Sequence, residues 1–188
     1  MKAFALGVLL CTGAAMAAPV SYTLDPTHTF PSFEADHMGI STWRGKFNQS
    51  KGKATLDKAA GTGSVEVSID LASVDFGNEL LNRWARTDAL FDVTRHQYAT
   101  YRGELAGFQK GVPTRLDGEL TLGGTTRPVH LKLLSFKCVP HPMFKREVCG
   151  ADALGSFERD QFGLTAGKEY GFDMTVVLRI QVEGLADQ

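Results

Sequence analysis

The sequence predicts an all-β protein, an antiparallel up-and-down barrel of about eight strands with one short helical segment. Three observations predict it. Apolar and polar residues alternate with period two along most of the chain, as in strands with one apolar and one wet face. The connections are short and glycine-marked, as at Gly61-Thr62-Gly63, Lys110-Gly111-Val112-Pro113 and Gly123-Gly124, which suits hairpins. No strand–helix–strand rhythm occurs, so the sheet is expected to be antiparallel. Closing about eight strands would remove the edges and enclose one small or slender ligand. Alternation alone leaves a two-sheet sandwich open.

Residues 1–17 read as an export signal. Lys2 gives a positive start, Ala3 to Ala15 an apolar run, and Ala15-Met16-Ala17 a cleavage site before Ala18-Pro19. The run is too short to span a bilayer. Cys11 does not read as a lipidation site, because Leu9 and Leu10 precede it and it lies inside the apolar run. Residues 18–188 suit one domain large enough for a substantial core. Cleavage would remove one of 20 basic side chains and none of 21 acidic ones, leaving a formal charge of −2. That balance gives no footprint for nucleic acid and no pull towards an anionic membrane.

Each element follows in order. In Tyr22 to Phe47, an Asp25-Pro26 turn leads to His28, which reads as a brace for that turn. Pro31, Phe33, Ala35 and His37 then share one strand face, and Gly45-Lys46-Phe47 opens the next strand. Val65, Val67 and Ile69 alternate with polar neighbours, as do Leu116, Gly118, Leu120 and Leu122, then Val129, Leu131 and Leu133. Asn78 to Asp92 breaks the pattern, and its apolar residues Leu80, Leu81, Trp84, Leu90 and Phe91 fit a short helix or a turn-rich lid. The last strand is expected to place Tyr170, Phe172, Met174, Val176, Leu178, Ile180 and Val182 on one face. Two cysteines follow the signal, Cys138 and Cys149. An even pair in an oxidising compartment reads as a disulfide, across a polar, proline-broken loop.

D-P-x-H-x-x-x-x-F-x-x-x-H from Asp25 to His37, followed by Gly45-Lys46-Phe47, resembles the opening of the YceI-like family. Leu120 to Val129 and Arg159-Asp160-Gln161-Phe162-Gly163-Leu164 resemble later segments of it. The resemblance covers essentially the whole mature chain. It implies a periplasmic, lipocalin-like barrel that holds a polyisoprenoid or another long-chain lipid. Trp84 to Asp92 departs from the family pattern, keeping only its final Phe-Asp, which puts ligand identity in question. The cysteine loop looks like a local addition.

The ligand-binding candidates are Phe33, His37, Val67, Trp84, Phe91, Tyr101, Leu120, Leu131, Phe162, Phe172, Met174 and Val176. Packing among themselves is the alternative fate for such an apolar face. A basic residue near the mouth, Arg83, Arg86 or Lys168, could hold a lipid phosphate or carboxylate; solvated surface is the plainer role. Five histidines show no metal-ligand spacing. No nucleophile elbow, P-loop or dinucleotide fingerprint is present. The function that the resemblance implies is an exported carrier of a long-chain isoprenoid or fatty-acyl lipid, expected to be no enzyme and to need neither metal nor cofactor. Its expected partner is a long-chain lipid, with no nucleic acid and no stable membrane insertion, and a homodimer is allowed. The alternatives are a ligand-free structural or stress-response envelope protein, and an enzyme or redox protein acting on bound lipid.

Overall fold

The computed structural model describes residues 18–188, so the export signal read in residues 1–17 lies outside the described residues. The strands are β1 (Val20–Leu24), β2 (Phe30–His37), β3 (Ser41–Phe47), β4 (Ser50–Asp57), β5 (Thr62–Asp70) and β6 (Val74–Asp75). After helix α1 (Glu79–Arg86) come β7 (Tyr98–Ala106), β8 (Arg115–Leu122), β9 (Thr125–Pro140), β10 (Glu147–Glu158) and β11 (Thr175–Ala186).

These eleven segments make eight staves. β1 and β2 run one after the other along β11, with Tyr22 opposite Ala186 and Phe30 opposite Gln181. β3 and β4 return along them as a second stave, and β5 and β6 form the third. β7 to β11 continue the antiparallel meander. Pairing of β1 with β11 closes the ring. Closure rules out the sandwich, whose two sheets would keep their edges.

Turn chemistry sets the register. Gly123 and Gly124 both have positive φ (58° and 77°), as a two-residue hairpin turn requires. They pair Leu122 with Thr125. At the first stave, the Asp25-Pro26 turn interrupts β1 and β2. His28 Nδ1 sits 2.8 Å from Asp25 Oδ2 there, the bracing role read from the sequence.

Two departures from strict alternation matter. β9 carries a bulge: Asp152 faces Ser135 while Ala153 faces Leu133, so Leu134 is an extra residue. The bulge shifts the inward set from Val129, Leu131 and Leu133 to Phe136 and Cys138. The last strand starts later than its apolar pattern suggests. Tyr170 is not on its face; it is 71% exposed in a 3-10 turn, Lys168–Tyr170. Gly167 and Gly171, at φ 81° and 80°, end extended backbone on both sides of that turn, so the period-two rule begins only at Thr175.

Cys138 and Cys149 are disulfide-bonded and directly opposed across β9 and β10. Both strands run past the cysteines to Pro140 and from Glu147, so the loop is shorter than its polarity suggests. A closure over 11 residues is worth about 3 kcal/mol in the chain-entropy model. Replacing Cys138 and Cys149 together with alanine should lower the melting temperature by roughly 6–12 °C. Thermal melts of wild type with reductant should match the double variant. Equal melting of oxidised wild type and double variant would show that strand pairing alone holds this end.

α1 starts where Asn78 caps it, accepting from the Leu80 and Leu81 amides at 3.0 and 3.2 Å. Glu79 lies in the first turn and Arg83 and Arg86 in the last, matching the helix dipole. The helix is moored by buried Ala85 and Asn82, the latter accepting from the Phe76 amide at 2.8 Å. That mooring turns Leu80 and Trp84 outward. Among the described residues, no helix is long and apolar enough to cross a membrane.

Candidate functional site: a blind apolar cavity

Inward-facing side chains do not fill the barrel. An apolar cavity of about 260 Å³ runs along its axis. Several inward positions on its wall are small, among them Ala35, Ala54, Ala99, Ala151, Ala153 and Gly184. They leave room that larger residues across the barrel do not take up. Val67, Leu178, Ile180 and Val182 line the cavity and stay only half-buried.

The two ends differ. At the α1 end, Trp84 lines the cavity yet is 39% exposed. Trp43, Leu90 and Phe172 beside it are half-buried. This end is the mouth. Exposed Met38 and Ile40 in the β2–β3 turn and Leu80 on α1 lie at the same end. At the other end, Tyr22, Leu24, Leu56 and Cys149 line the cavity and are buried. The cavity is blind there.

Of the sequence candidates, Phe33, Val67, Phe91, Tyr101, Leu120, Leu131 and Val176 line the wall, and Trp84 and Phe172 line the mouth. His37, Phe162 and Met174 do not reach the cavity. His37 stacks behind Trp43 (4.3 Å between ring centres) and meets the edge of Phe172. Phe162 packs behind Phe157 at 5.1 Å. Met174 is 7% exposed, and its carbonyl accepts from the Arg159 amide. All three sit where regular strand stops: at the end of β2, in the 3-10 turn Arg159–Phe162, and just before β11. Face assignment by parity fails in such backbone.

Tyr101 shows how the wall treats its polar atoms. Its ring lies across the directly paired Gly103 and Gly118, where an added Cβ would crowd the side chain at 3.1 and 2.7 Å. Its hydroxyl donates to the Val129 carbonyl at 2.8 Å. Burial, with the nearby Asp117 charge, pushes the phenol up, so it stays neutral and offers the cavity only its ring. Phe33 lies similarly against Gly45, which accounts for the glycine of the Gly45-Lys46-Phe47 segment.

Arg159 was not among the candidates, yet it lines the cavity near the mouth and is 8% exposed. Its Nη1 donates to the Leu164 carbonyl (2.9 Å) and its Nη2 to the Ala166 carbonyl (2.7 Å). Burial pulls its pKa down, partly offset by Asp160. Its sequence signal, the Arg159 to Leu164 motif, was visible, but its burial was not. The other cations proposed for the mouth are paired: Lys168 with Asp160 at 2.7 Å, and Arg83 and Arg86 with Glu79 at 3.5 and 3.8 Å. The Arg86 Nε is buried without a partner. Among the described residues, the one acid, histidine and cysteine group close enough for a metal is Cys138, Glu147 and Cys149. Its two sulfurs are bonded to each other.

Near the turn before β2, Asp25 and His28 give a pH signature. Burial pushes Asp25 up, but hydrogen bonds from His28 and Thr27 outweigh it and lower its pKa. His28 is raised, first by its hydrogen bond to Asp25 and then by that charge. The His28 contribution to stability is full below its ordinary 6.5 and fades as pH rises through the raised folded value. The Asp25 contribution is full above 3.8 and fades as pH falls through the lowered value. A His28→Gln variant should therefore melt below wild type at pH 5–6, with the gap shrinking above neutrality. A gap independent of pH would mean that the brace acts without charge.

The geometry is shared with known proteins. Residues 22–184 match the YceI-like domain. A UPF0312 protein of Pectobacterium carotovorum is 30% identical over 96% of this chain and 93% of its own length. Protein YceI of Salmonella arizonae is 28% identical over 95% of this chain and 92% of its own. Among solved structures, the Campylobacter jejuni YCEI protein superposes with a TM-score of 0.67 at 19% identity, covering 81% of this chain and 90% of that one. A polyisoprenoid binding domain from Saccharophagus degradans, implicated in plant cell wall breakdown, gives 0.61 at 19%, covering 89% and 99%. With the closed eight-stave barrel, the motifs from Asp25 to Leu164 and these matches in hand, the chain belongs to the YceI-like family.

Proposed function

We propose that this protein is an exported carrier that holds one long-chain lipid by its hydrocarbon tail. The lipid is an isoprenoid, such as a polyprenol phosphate or isoprenoid quinone, or a fatty-acyl chain, held for transport or storage. The observation that carries the reading is the blind cavity, in which the polar groups of Tyr101, Arg159 and Tyr22 are spent on the protein itself. Such a wall suits a tail and no polar group. Burial is non-directional, and each buried methylene contributes about 0.8 kcal/mol, so a tail binds without a specific hydrogen bond. The polar end then stays at the mouth, beside Trp84 and Phe172. The Saccharophagus protein's description as polyisoprenoid-binding supports the isoprenoid class. The signal read in residues 1–17 and the Cys138–Cys149 bridge support a periplasmic address.

The test is mass spectrometry of the purified mature protein, once under native conditions and once after solvent extraction. A stoichiometric isoprenoid or acyl adduct is expected. A bare mass, with no uptake of added quinone, polyprenol or fatty acid, would favour the ligand-free structural role.

A further inference from the structure

We infer that the closed end of the barrel is a chain-length stop, formed by the Tyr22 ring and Phe136 beside the Cys138–Cys149 bridge. This deepens the carrier reading and rests on it. The eighth stave ends at Ala186, opposite Tyr22. Tyr22 belongs to the first stave and Glu147 to the seventh, on either side of it. The Tyr22 hydroxyl spans that end and donates to Glu147 Oε1. Lys58, in the turn after the second stave, holds Glu147 Oε2 at 2.6 Å. The first, second and seventh staves are thus tied over the eighth, and the 3%-exposed ring belongs to that tie.

Phe136 reaches the cavity only because the bulge at Leu134 turns it inward. Phe108 packs behind this group without lining the cavity. The clamp is electrostatically consistent. Burial raises the Glu147 carboxyl, but the Lys58 and Tyr22 hydrogen bonds outweigh it and keep it ionised. Burial and the Glu147 contact push the Tyr22 phenol up, keeping it a neutral donor. A tail threaded from the mouth therefore meets a braced aromatic bar, and its length is limited by the distance from Trp84 to Tyr22.

The experiment is titration of the delipidated protein with saturated fatty acids, graded from dodecanoic to tetracosanoic. Wild-type affinity should rise about fourfold per added methylene while the tail still finds wall. It should stop rising at one chain length, the break. In Tyr22→Ala and in Phe136→Ala the break should move to longer acids. Tyr22→Phe, which keeps the ring, should keep the wild-type break. Folded variants whose breaks do not move would overturn the stop and leave the carrier reading standing. So would a Tyr22→Phe break displaced as far as that of Tyr22→Ala. No uptake of any acid by wild type would sink the carrier reading and the stop with it.

Discussion

Val67→Trp is expected to lower lipid affinity at least about tenfold in a barrel that still folds. Val67 lines the cavity at the middle of β5, flanked across the ladder by Gly52 and Tyr101. It is half-buried because it faces free space and not packed atoms. An indole there would project into the cavity, so the overpacking cost of about 1–3 kcal/mol that accompanies a full core should be largely avoided. It would displace a few methylenes of tail at about 0.8 kcal/mol each, which lowers affinity by at least about tenfold. The check is fatty-acid titration beside a thermal melt, with Glu66→Trp on the opposite face as the control. A folded Val67→Trp protein that binds as wild type does would place the ligand outside the barrel.

The fold was legible because its two determinants are local. Alternation along Val65–Ile69, Leu116–Leu122 and Val129–Leu133 names the inward face, and turns such as Gly123-Gly124 tie each strand to the next. The cavity was legible only in part. Parity identifies Val67 or Val176 as inward, but free volume is a property of facing staves. The alanines and glycine that leave the space, Ala151, Ala153 and Gly184 among them, carry no apolar signal of their own. Phe136 escaped because a single extra residue, Leu134, inverts the parity of β9. His37, Phe162 and Met174 miss the cavity because each sits where regular strand stops, at the last residue of β2, in the 3-10 turn and just before β11. Arg159 was hidden by its charge, since charged side chains are rarely buried unless paired, and here backbone carbonyls three-dimensionally close, not a carboxylate, supply the partners.

That same arginine carries a stability effect at least as large as that of the Cys138–Cys149 bridge. Its guanidinium ties β10 to the segment that crosses over to β11, by two charge-assisted bonds to the Leu164 and Ala166 carbonyls. Arg159→Met would keep the aliphatic stem and remove both donors. Bonds to charged groups are worth about 1.5–3 kcal/mol each, so a loss of at least about 3 kcal/mol is expected. For a chain of this size that lowers the melting temperature by roughly 6–12 °C. Lysine can satisfy at most one carbonyl in the same geometry, since it lacks the planar fork, so Arg159→Lys should fall between the two. Amide exchange should quicken first over residues 164–175, next to the mouth, and only later in β7 and β8. Wild-type melting and exchange in Arg159→Met would mean that packing of Phe162 and Leu164 holds this crossing without the arginine.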